Sequence, residues 1–239
     1  MNLHALVPLA LALALAGGAP ARAARPPCGS LRAAEAPDAV CEPYRPRAGD
    51  IVLYDNFSTF LHVGYRLAAT AAPVHAALVI ERPDGTPAML ELTGPHVITA
   101  KVCIVEIGPY LERFKGAIIV RRIREPLSEA QKRALHDFAL LQTGKSFAAC
   151  RVALIATPFN ARYGLRRMLF ARTCLDRHRW FCSELVVASL TVAGLLDPQV
   201  IPANATVPRD LAYDERFDLS ALYHPAQPWQ PALTAPPCR

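Results

Sequence analysis

The sequence predicts an α+β fold in which an antiparallel sheet packs against helices. Several apolar runs of strand length lie in the first half of the chain, between residues 51 and 123. The residues Pro83-Asp84-Gly85 separate two of these runs, and this composition favours a tight turn that pairs its flanking strands. Two segments with helical spacing, 128–142 and 181–193, follow the strands. Strands that precede helices in this way are typical of an α+β domain.

The strand predictions depend on short runs of apolar or β-branched residues. The run at 51–54 follows the turn residues Gly49-Asp50 and suits a buried strand. Residues 58–69 then repeat apolar side chains at helical spacing, and Ser58 is a suitable N-cap for that helix. Four further strands are predicted at 75–81, 88–92, 102–107 and 117–123.

The helix predictions depend on capping residues and apolar spacing. Ser128 and Gln131 have the spacing of a capping box, which predicts a helix over 128–142. A second helix is predicted over 181–193 and ends at Gly194. The stretch between them is predicted to be a basic helical insertion, with 157–179 bordering a cleft. Its arginines are at positions 151, 162, 166, 167, 172, 177 and 179.

The amino-terminal residues predict export. Residues 1–23 combine an apolar run with small residues in a cleavage pattern, as a signal peptide does, so the chain is predicted to be periplasmic or secreted. Residues 24–239 are then predicted to form a single domain with its core at 48–196. We expect this domain to be a monomer.

Charge and cysteine content restrict the partners and the redox state. The formal net charge of +6 favours association with an anionic cell wall or membrane surface. The basic residues form no stripe interleaved with aromatics, so a nucleic-acid partner is not expected. Seven cysteines in an exported chain predict disulfides, and an odd number leaves at least one thiol unpaired. Proximity in sequence suggests the pairs Cys28 with Cys41 and Cys150 with Cys174.

Cys182 is the candidate nucleophile. It lies in the segment Trp180-Phe181-Cys182-Ser183-Glu184, at the first turn of the predicted apolar helix. The partial positive charge of a helix N-terminus favours a thiolate over a thiol. The unpaired backbone N–H groups of that turn can also donate to an oxyanion during acyl transfer. The alternative is a buried structural cysteine, which is a common role for this small, apolar residue.

His75 is the candidate base and Glu91 its candidate carboxylate partner. His75 begins an apolar strand, where an imidazole can face a helix N-terminus, whereas His62 and His136 lie inside predicted helices. The turn after the strand returns Glu91 to the neighbourhood of His75. A carboxylate there would orient the imidazole and stabilise its charged form. Glu81 lies nearer to the turn and is predicted to be a solvated charge.

A metal site is the competing interpretation of the same segment. Cys174, His178 and Cys182 are spaced four residues apart, and zinc binds such side chains. On one continuous helix, however, the two cysteines would lie ~12 Å apart along the axis, too far to share one ion. We therefore predict no metal and no cofactor.

The motifs that carry this chemistry resemble those of the YaeF/YiiX group of permuted NlpC-type papain-fold amidases. The matching segments are Gly49-Asp50-Ile51, the stretch from Pro73 to Val79 that contains His75, Glu91 on the next strand, Gly144-Lys145, and Phe181 to Val186 with Cys182. The similarity spans roughly residues 48–196.

The resemblance implies a circularly permuted papain-like fold, with the histidine before the cysteine in the chain. It also implies a triad of Cys182, His75 and Glu91 and the hydrolysis of an amide bond. We expect the substrate to be a cell-wall peptide or an N-acylated amino compound. Two alternatives remain: a thiol-dependent lipid acyl hydrolase or acyltransferase, with Leu169-Phe170 lining an acyl slot, and a secreted binding domain without catalysis.

Overall fold

The computed structural model describes residues 44–56, 59–67, 70–155, 157 and 164–230. All of them belong to one compact unit, Cys41–Arg239. The predicted signal peptide at 1–23 and the predicted pair Cys28–Cys41 lie outside the described residues. The cap predicted at Ser58 lies outside them as well.

A mixed sheet forms the centre of the described fold. Its order is β7-β6-β4-β3-β2-β1-β5-β8, and its pairs are antiparallel except for β6 with β7. The strands are β1 (Ile51–Asp55), β2 (His75–Glu81), β3 (Pro87–Thr93), β4 (Lys101–Glu106), β5 (Ala117–Arg121), β6 (Ser146–Phe147), β7 (Arg179–Trp180) and β8 (Gln227–Trp229). The five strands predicted from the sequence are therefore confirmed.

The helices lie between these strands along the chain. They are α1 (Thr59–Leu67), α2 (Ile107–Arg113), α3 (Glu129–Gln142), α4 (Ala149–Ile155), α5 (Gly164–Phe170), α6 (Cys182–Val192) and α7 (Pro208–Ala212). The predicted capping box is present at the start of α3, where Ser128 and Gln131 exchange side-chain to backbone hydrogen bonds. The long helices α3 and α6 both contact β2.

Alternation along the strands divides the core between the two faces of the sheet. One set of side chains, including Leu53, Leu78 and Leu90, packs in the main core with residues of α3 and α6. The opposite set, including Tyr54 and Met89, packs with residues of α2. Because side chains of a strand point alternately to the two faces, a shift of one residue in register would exchange these two cores.

The turn before β1 connects this strand to the chain beyond β5. Gly49 has a φ of +96°, and a Cβ there would come within 2.9 Å of Ile123 Cδ1. The buried Asp50 carboxylate accepts from the backbone N–H groups of Ile123 at 2.9 Å and Arg47 at 3.0 Å. The Gly49-Asp50 pair therefore joins β1 to the segment that follows β5.

The predicted basic insertion contains two short helices, α4 and α5. The chain after Pro198, for which the sequence analysis gives no helix or strand, supplies α7 and the edge strand β8, which pairs with β5. Among the described residues, none of the helices combines the length and the apolar character required to cross a bilayer.

The described cysteines are free thiols. These are Cys103, Cys150, Cys174 and Cys182. Cys150 and Cys174 are exposed and are not joined, so the predicted bridge between them is wrong. Cys174 instead donates from Sγ to the carbonyl of Asp176 at 3.2 Å.

Candidate active site

Cys182 begins α6. Phe181 precedes it in an extended conformation, with φ −108° and ψ 161°, and the first intrahelical hydrogen bond runs from Leu185 N–H to the Phe181 carbonyl. The backbone N–H groups of the first turn therefore have no partner within the helix. Cys182 is 5% exposed and lines a cavity. A thiol and unpaired N–H donors thus lie together at one helix end.

Sheet register brings Glu91 to His75. Leu78 pairs with Leu90, so Glu91 lies opposite Ala77, two residues along β2 from His75 and on the same face of the sheet. His75 Nε2 is hydrogen-bonded to Glu91 Oε1, which also accepts from the backbone N–H of Leu92 at 2.7 Å. Glu91 is fully buried, and Oε1 accepts both hydrogen bonds, whereas Oε2 has no hydrogen-bond partner among the described residues.

The imidazole of His75 links Glu91 to Cys182. His75 is hydrogen-bonded to Glu91, it lines the same cavity as Cys182, and it interacts electrostatically with both residues. Its burial opposes the charged form, but the charges of Glu91 and Cys182 outweigh this and raise the pKa of His75 well above 6.5. An imidazolium is therefore favoured at neutral pH, which suits a thiolate–imidazolium pair.

Tyr54 is a further member of this site. On β1 it pairs directly with His75, and the two ring centroids are 5.7 Å apart. Its hydroxyl donates to Met89 Sδ at 2.9 Å. Burial raises the pKa of Tyr54, and the nearby Glu91 charge raises it further. Tyr54 remains a neutral phenol and packs against one side of the histidine.

The cavity beside Cys182 is apolar and has a volume of about 600 Å³. His75 and Cys182 contribute its reactive groups. Most of the other lining residues are apolar or aromatic, among them Val63, Leu67, Val74, Phe114, Phe147, Val152, Ala153, Ile155, Phe181 and Val207. These residues come from α1, α4, β6 and the chain next to β2, α2, α6 and α7. A cavity of this kind matches a hydrocarbon chain better than a polar peptide.

A buried charge cluster connects α6 to the basic insertion. Glu184, two residues after Cys182, is fully buried and forms ion pairs with Arg151 Nη1 and, at 2.9 Å, with Arg177 Nε. Burial raises the pKa of Glu184 more than the two arginines lower it. Arg151 also donates to the Arg179 carbonyl. The cavity wall formed by α4 is thereby attached to the helix that carries the cysteine.

The structure brings together the three residues proposed from the sequence, His75, Glu91 and Cys182. Glu81 lies outside this site and forms an ion pair with Lys132 at 3.1 Å. His62 pairs with Asp55 at 2.8 Å, a contact that the sequence analysis missed.

One other expectation for the site is not met. The three residues of the competing metal interpretation, Cys174, His178 and Cys182, do not share a helix, and the described residues contain no group of three side chains suited to a metal ion. Leu169, proposed to line an acyl slot, is exposed and lies outside the cavity lining. The apolar cavity is built by α1 and α4 instead.

Tyr54 and Glu184 were also missed. The signal for Tyr54 was its position on β1. Because side chains alternate along a strand, Tyr54 lies on the same face of the sheet as Val52, and β1 pairs with the strand that carries His75. The signal for Glu184 was a carboxylate inside an otherwise apolar helix, since a buried charge requires a partner.

The chain is compared with family models, curated proteins and solved structures. No family model and no curated protein matches the chain. Among solved structures, it is similar to the crystal structure of the metalloprotein YiiX from Escherichia coli O157:H7. The identity is 21%, the TM-score is 0.41, and the similarity covers 63% of this chain and 67% of that one.

Proposed function

We propose that this chain is an exported cysteine hydrolase that cleaves the amide bond of an N-acylated amino compound. The observation that carries the proposal is the position of Cys182, which shares an apolar cavity with an imidazole paired to a buried carboxylate. The acyl chain would occupy the cavity, and the amide carbonyl would lie beside the thiol. The apolar lining favours such a substrate over a cell-wall peptide.

The residues would act in two half-reactions. The Cys182 thiolate attacks the carbonyl carbon, and backbone N–H groups at the start of α6 stabilise the oxyanion. The His75 imidazolium then gives its proton to the departing amine, leaving an acyl thioester and a neutral imidazole. A water molecule gives a proton to His75 and attacks the thioester, which releases the carboxylic acid and restores the thiolate. Glu91 orients the imidazole throughout.

A second candidate is a thiol-dependent acyl-ester hydrolase or acyltransferase. The apolar cavity favours it equally, because the acyl group would occupy the same place and only the leaving group would differ. The products separate the two. Purified protein is incubated with N-acyl amino acids, with acyl-ester lipids and with cell-wall fragments, and free amine and fatty acid are quantified.

The amidase proposal expects equal release of amine and fatty acid from N-acyl amino acids, and none with the Cys182→Ala variant. Release of fatty acid from acyl esters alone would contradict the amidase proposal and support the second candidate. Release of amine from wall fragments alone would contradict both. Activity should also rise with acyl length by about fourfold per methylene, because burying each CH₂ is worth ~0.8 kcal/mol.

A variant pair tests whether the cavity holds the acyl chain. Ala153 lines the cavity, whereas its neighbour Leu154 on α4 is exposed and does not. Ala153→Trp should remove the preference for long acyl chains because the added ring occupies their space. Leu154→Trp is the matched control and should keep that preference. An equal chain-length profile in the two variants would exclude acyl binding in this cavity.

A further inference from the structure

We infer that residues 164–179, here called the docking segment, bind an anionic lipid surface and bring lipid-borne substrate to Cys182. This inference names the physical source of the substrate and therefore rests on the proposed function. The docking segment comprises α5 and the chain up to β7, and it ends three residues before Cys182.

The docking segment exposes large apolar side chains. Leu165 is 69% exposed, Met168 81%, Leu169 55% and Leu175 42%. Three of these residues lie on α5, a helix of only two turns. Exposed apolar side chains concentrated on a short helix are typical of an interaction surface, and a purely electrostatic partner would leave them in water.

The same segment is strongly basic. It contains five arginines and one acidic residue, Asp176, so it carries a net charge of +4 within a chain whose total is +6. Asp176 pairs with Lys145 at 3.2 Å, and Arg177 pairs with Glu184. Arg172 and Arg179 are exposed. Their charge complements an anionic surface.

Apolar and cationic groups together identify a lipid surface as the occupant. A polyanion such as a wall polymer would be bound by the arginines and would leave Leu165 and Met168 in water. An anionic bilayer receives both kinds of side chain, with the apolar groups at the acyl boundary and the arginines at the headgroups.

The docking segment is joined to the active site in two ways. Arg177 forms an ion pair with Glu184 on α6. Trp180 and Phe181 are the two residues between the segment and Cys182, and Phe181 lines the cavity. A lipid bound at the segment would therefore be delivered near an apolar cavity that contains the thiol.

The inference is tested by vesicle cosedimentation with the otherwise unaltered mature chain carrying Cys182→Ala, so that no turnover occurs. Vesicles of phosphatidylcholine mixed with phosphatidylglycerol are compared with vesicles of phosphatidylcholine alone. We expect binding to the anionic vesicles, weakened by added salt because screening reduces the attraction. Equal or absent binding to both kinds of vesicle would overturn the inference.

Variants locate the contact. Leu165→Ser with Met168→Ser and Leu169→Ser should reduce binding at least tenfold. Arg172→Glu with Arg179→Glu should reduce vesicle binding by more than about fivefold for each arginine. Removing one positive charge accounts for about fivefold, and these substitutions also add a negative charge. The matched controls are Leu140→Ser with Leu141→Ser, and Arg133→Glu, all exposed on α3. Wild-type binding by the segment variants, or equal losses in the controls, would overturn the inference.

The apolar variant also separates a bilayer from a wall polymer. If the serine substitutions left binding unchanged while the arginine substitutions abolished it, the partner would be a polyanion and the inference would be wrong. Hydrolysis of dispersed substrate without vesicle binding would refute docking and leave the proposed function intact. Vesicle binding without hydrolysis by the wild-type chain would refute the proposed function alone.

Discussion

The framework of β2, β3 and α6, which carries the residues of the proposed triad, differs from the docking segment in how deeply its side chains are buried. In the framework, Glu91 and Glu184 are fully buried and each is held by at least two hydrogen-bonding or ionic partners. The docking segment, in contrast, exposes Leu165 and Met168 to solvent. The difference teaches that the proposed chemistry would rely on buried side chains with fixed partners, whereas the proposed choice of substrate would rely on apolar side chains that the fold leaves exposed.

Replacing the nucleophile should have the largest effect. Cys182→Ser keeps the size of the side chain but replaces the thiol with a hydroxyl of low acidity, so turnover should fall by about 10⁴-fold or more. Thermal unfolding should be unchanged, which would separate a chemical loss from a structural one. A serine variant with more than a few per cent of wild-type activity would contradict nucleophilic catalysis by Cys182.

Removing the base should have the next largest effect. His75→Ala should lower turnover by ~10²–10⁴-fold, the usual contribution of general acid–base assistance. Iodoacetamide labelling of Cys182 should also shift to higher pH, because the imidazolium no longer stabilises the thiolate. Labelling must be read by peptide mapping, since Cys150 and Cys174 are exposed free thiols. Unchanged activity and unchanged labelling would exclude the thiolate–imidazolium pair.

Neutralising the partner carboxylate should be less damaging. Glu91→Gln keeps an oxygen that can accept from the Leu92 N–H but loses the charge that favours the His75 imidazolium. A hydrogen bond to a charged group is worth about 1.5–3 kcal/mol, so turnover should fall about 10- to 100-fold. Glu81→Gln, on the same hairpin but outside the site, is the control. A larger loss in Glu91→Gln than in His75→Ala would reverse the roles assigned to them.

Glu184 joins the two regions, and its substitution sharpens the comparison between them. Glu184→Gln leaves Arg151 and Arg177 without a carboxylate, so the free energy of unfolding should fall by about 1–3 kcal/mol. Hydrolysis of short N-acyl substrates should change by only a few fold, while activity on vesicle-borne substrates should fall more. Glu129→Gln, at an exposed pair on α3, should have almost no effect on either. Equal losses on both substrates would show that Glu184 serves the framework alone.

The smallest effect is a dependence of stability on pH. The pKa of His75 is raised in the folded protein. The charged form of His75 therefore contributes its full stability when the pH is below the pKa of this histidine in the unfolded chain, near 6.5. That contribution is lost as the pH rises through the raised pKa. Urea unfolding at a series of pH values should therefore show a decline above neutrality that His75→Gln lacks. The same decline in both proteins would assign it to another group.

The sequence predicted the framework because its signals are local and periodic. The alternation of β2 and the turn at Pro83 to Gly85 are enough to place Glu91 near His75, and the apolar helix after Phe181 places Cys182 at its start. The capping box at Ser128 was equally readable. These features depend on neighbours within a few residues, and the structure confirms the elements that carry them.

The remaining features depend on contacts between distant residues, which a single sequence does not reveal. The edge strand β8 contains Pro228 and pairs with β5, more than one hundred residues earlier. The cavity wall was assigned to Leu169-Phe170 because both are apolar, but α4 occupies that wall through the ion pair between Arg151 and Glu184. Apolar composition alone does not distinguish a side chain that lines a cavity from one that faces solvent.

The near-complete burial of Cys182 within apolar walls would protect its thiol in the oxidising compartment that the proposed export implies. Charged oxidants such as glutathione disulfide would have to lose their hydration to reach its sulfur, which is costly in a cavity with so few polar groups. Small neutral reagents do not meet this barrier. We expect glutathione disulfide to modify the exposed Cys150 and Cys174 well before Cys182, as intact-mass and peptide analysis over time would show. The walls that are proposed to hold the acyl chain would then also keep the Cys182 thiol reduced.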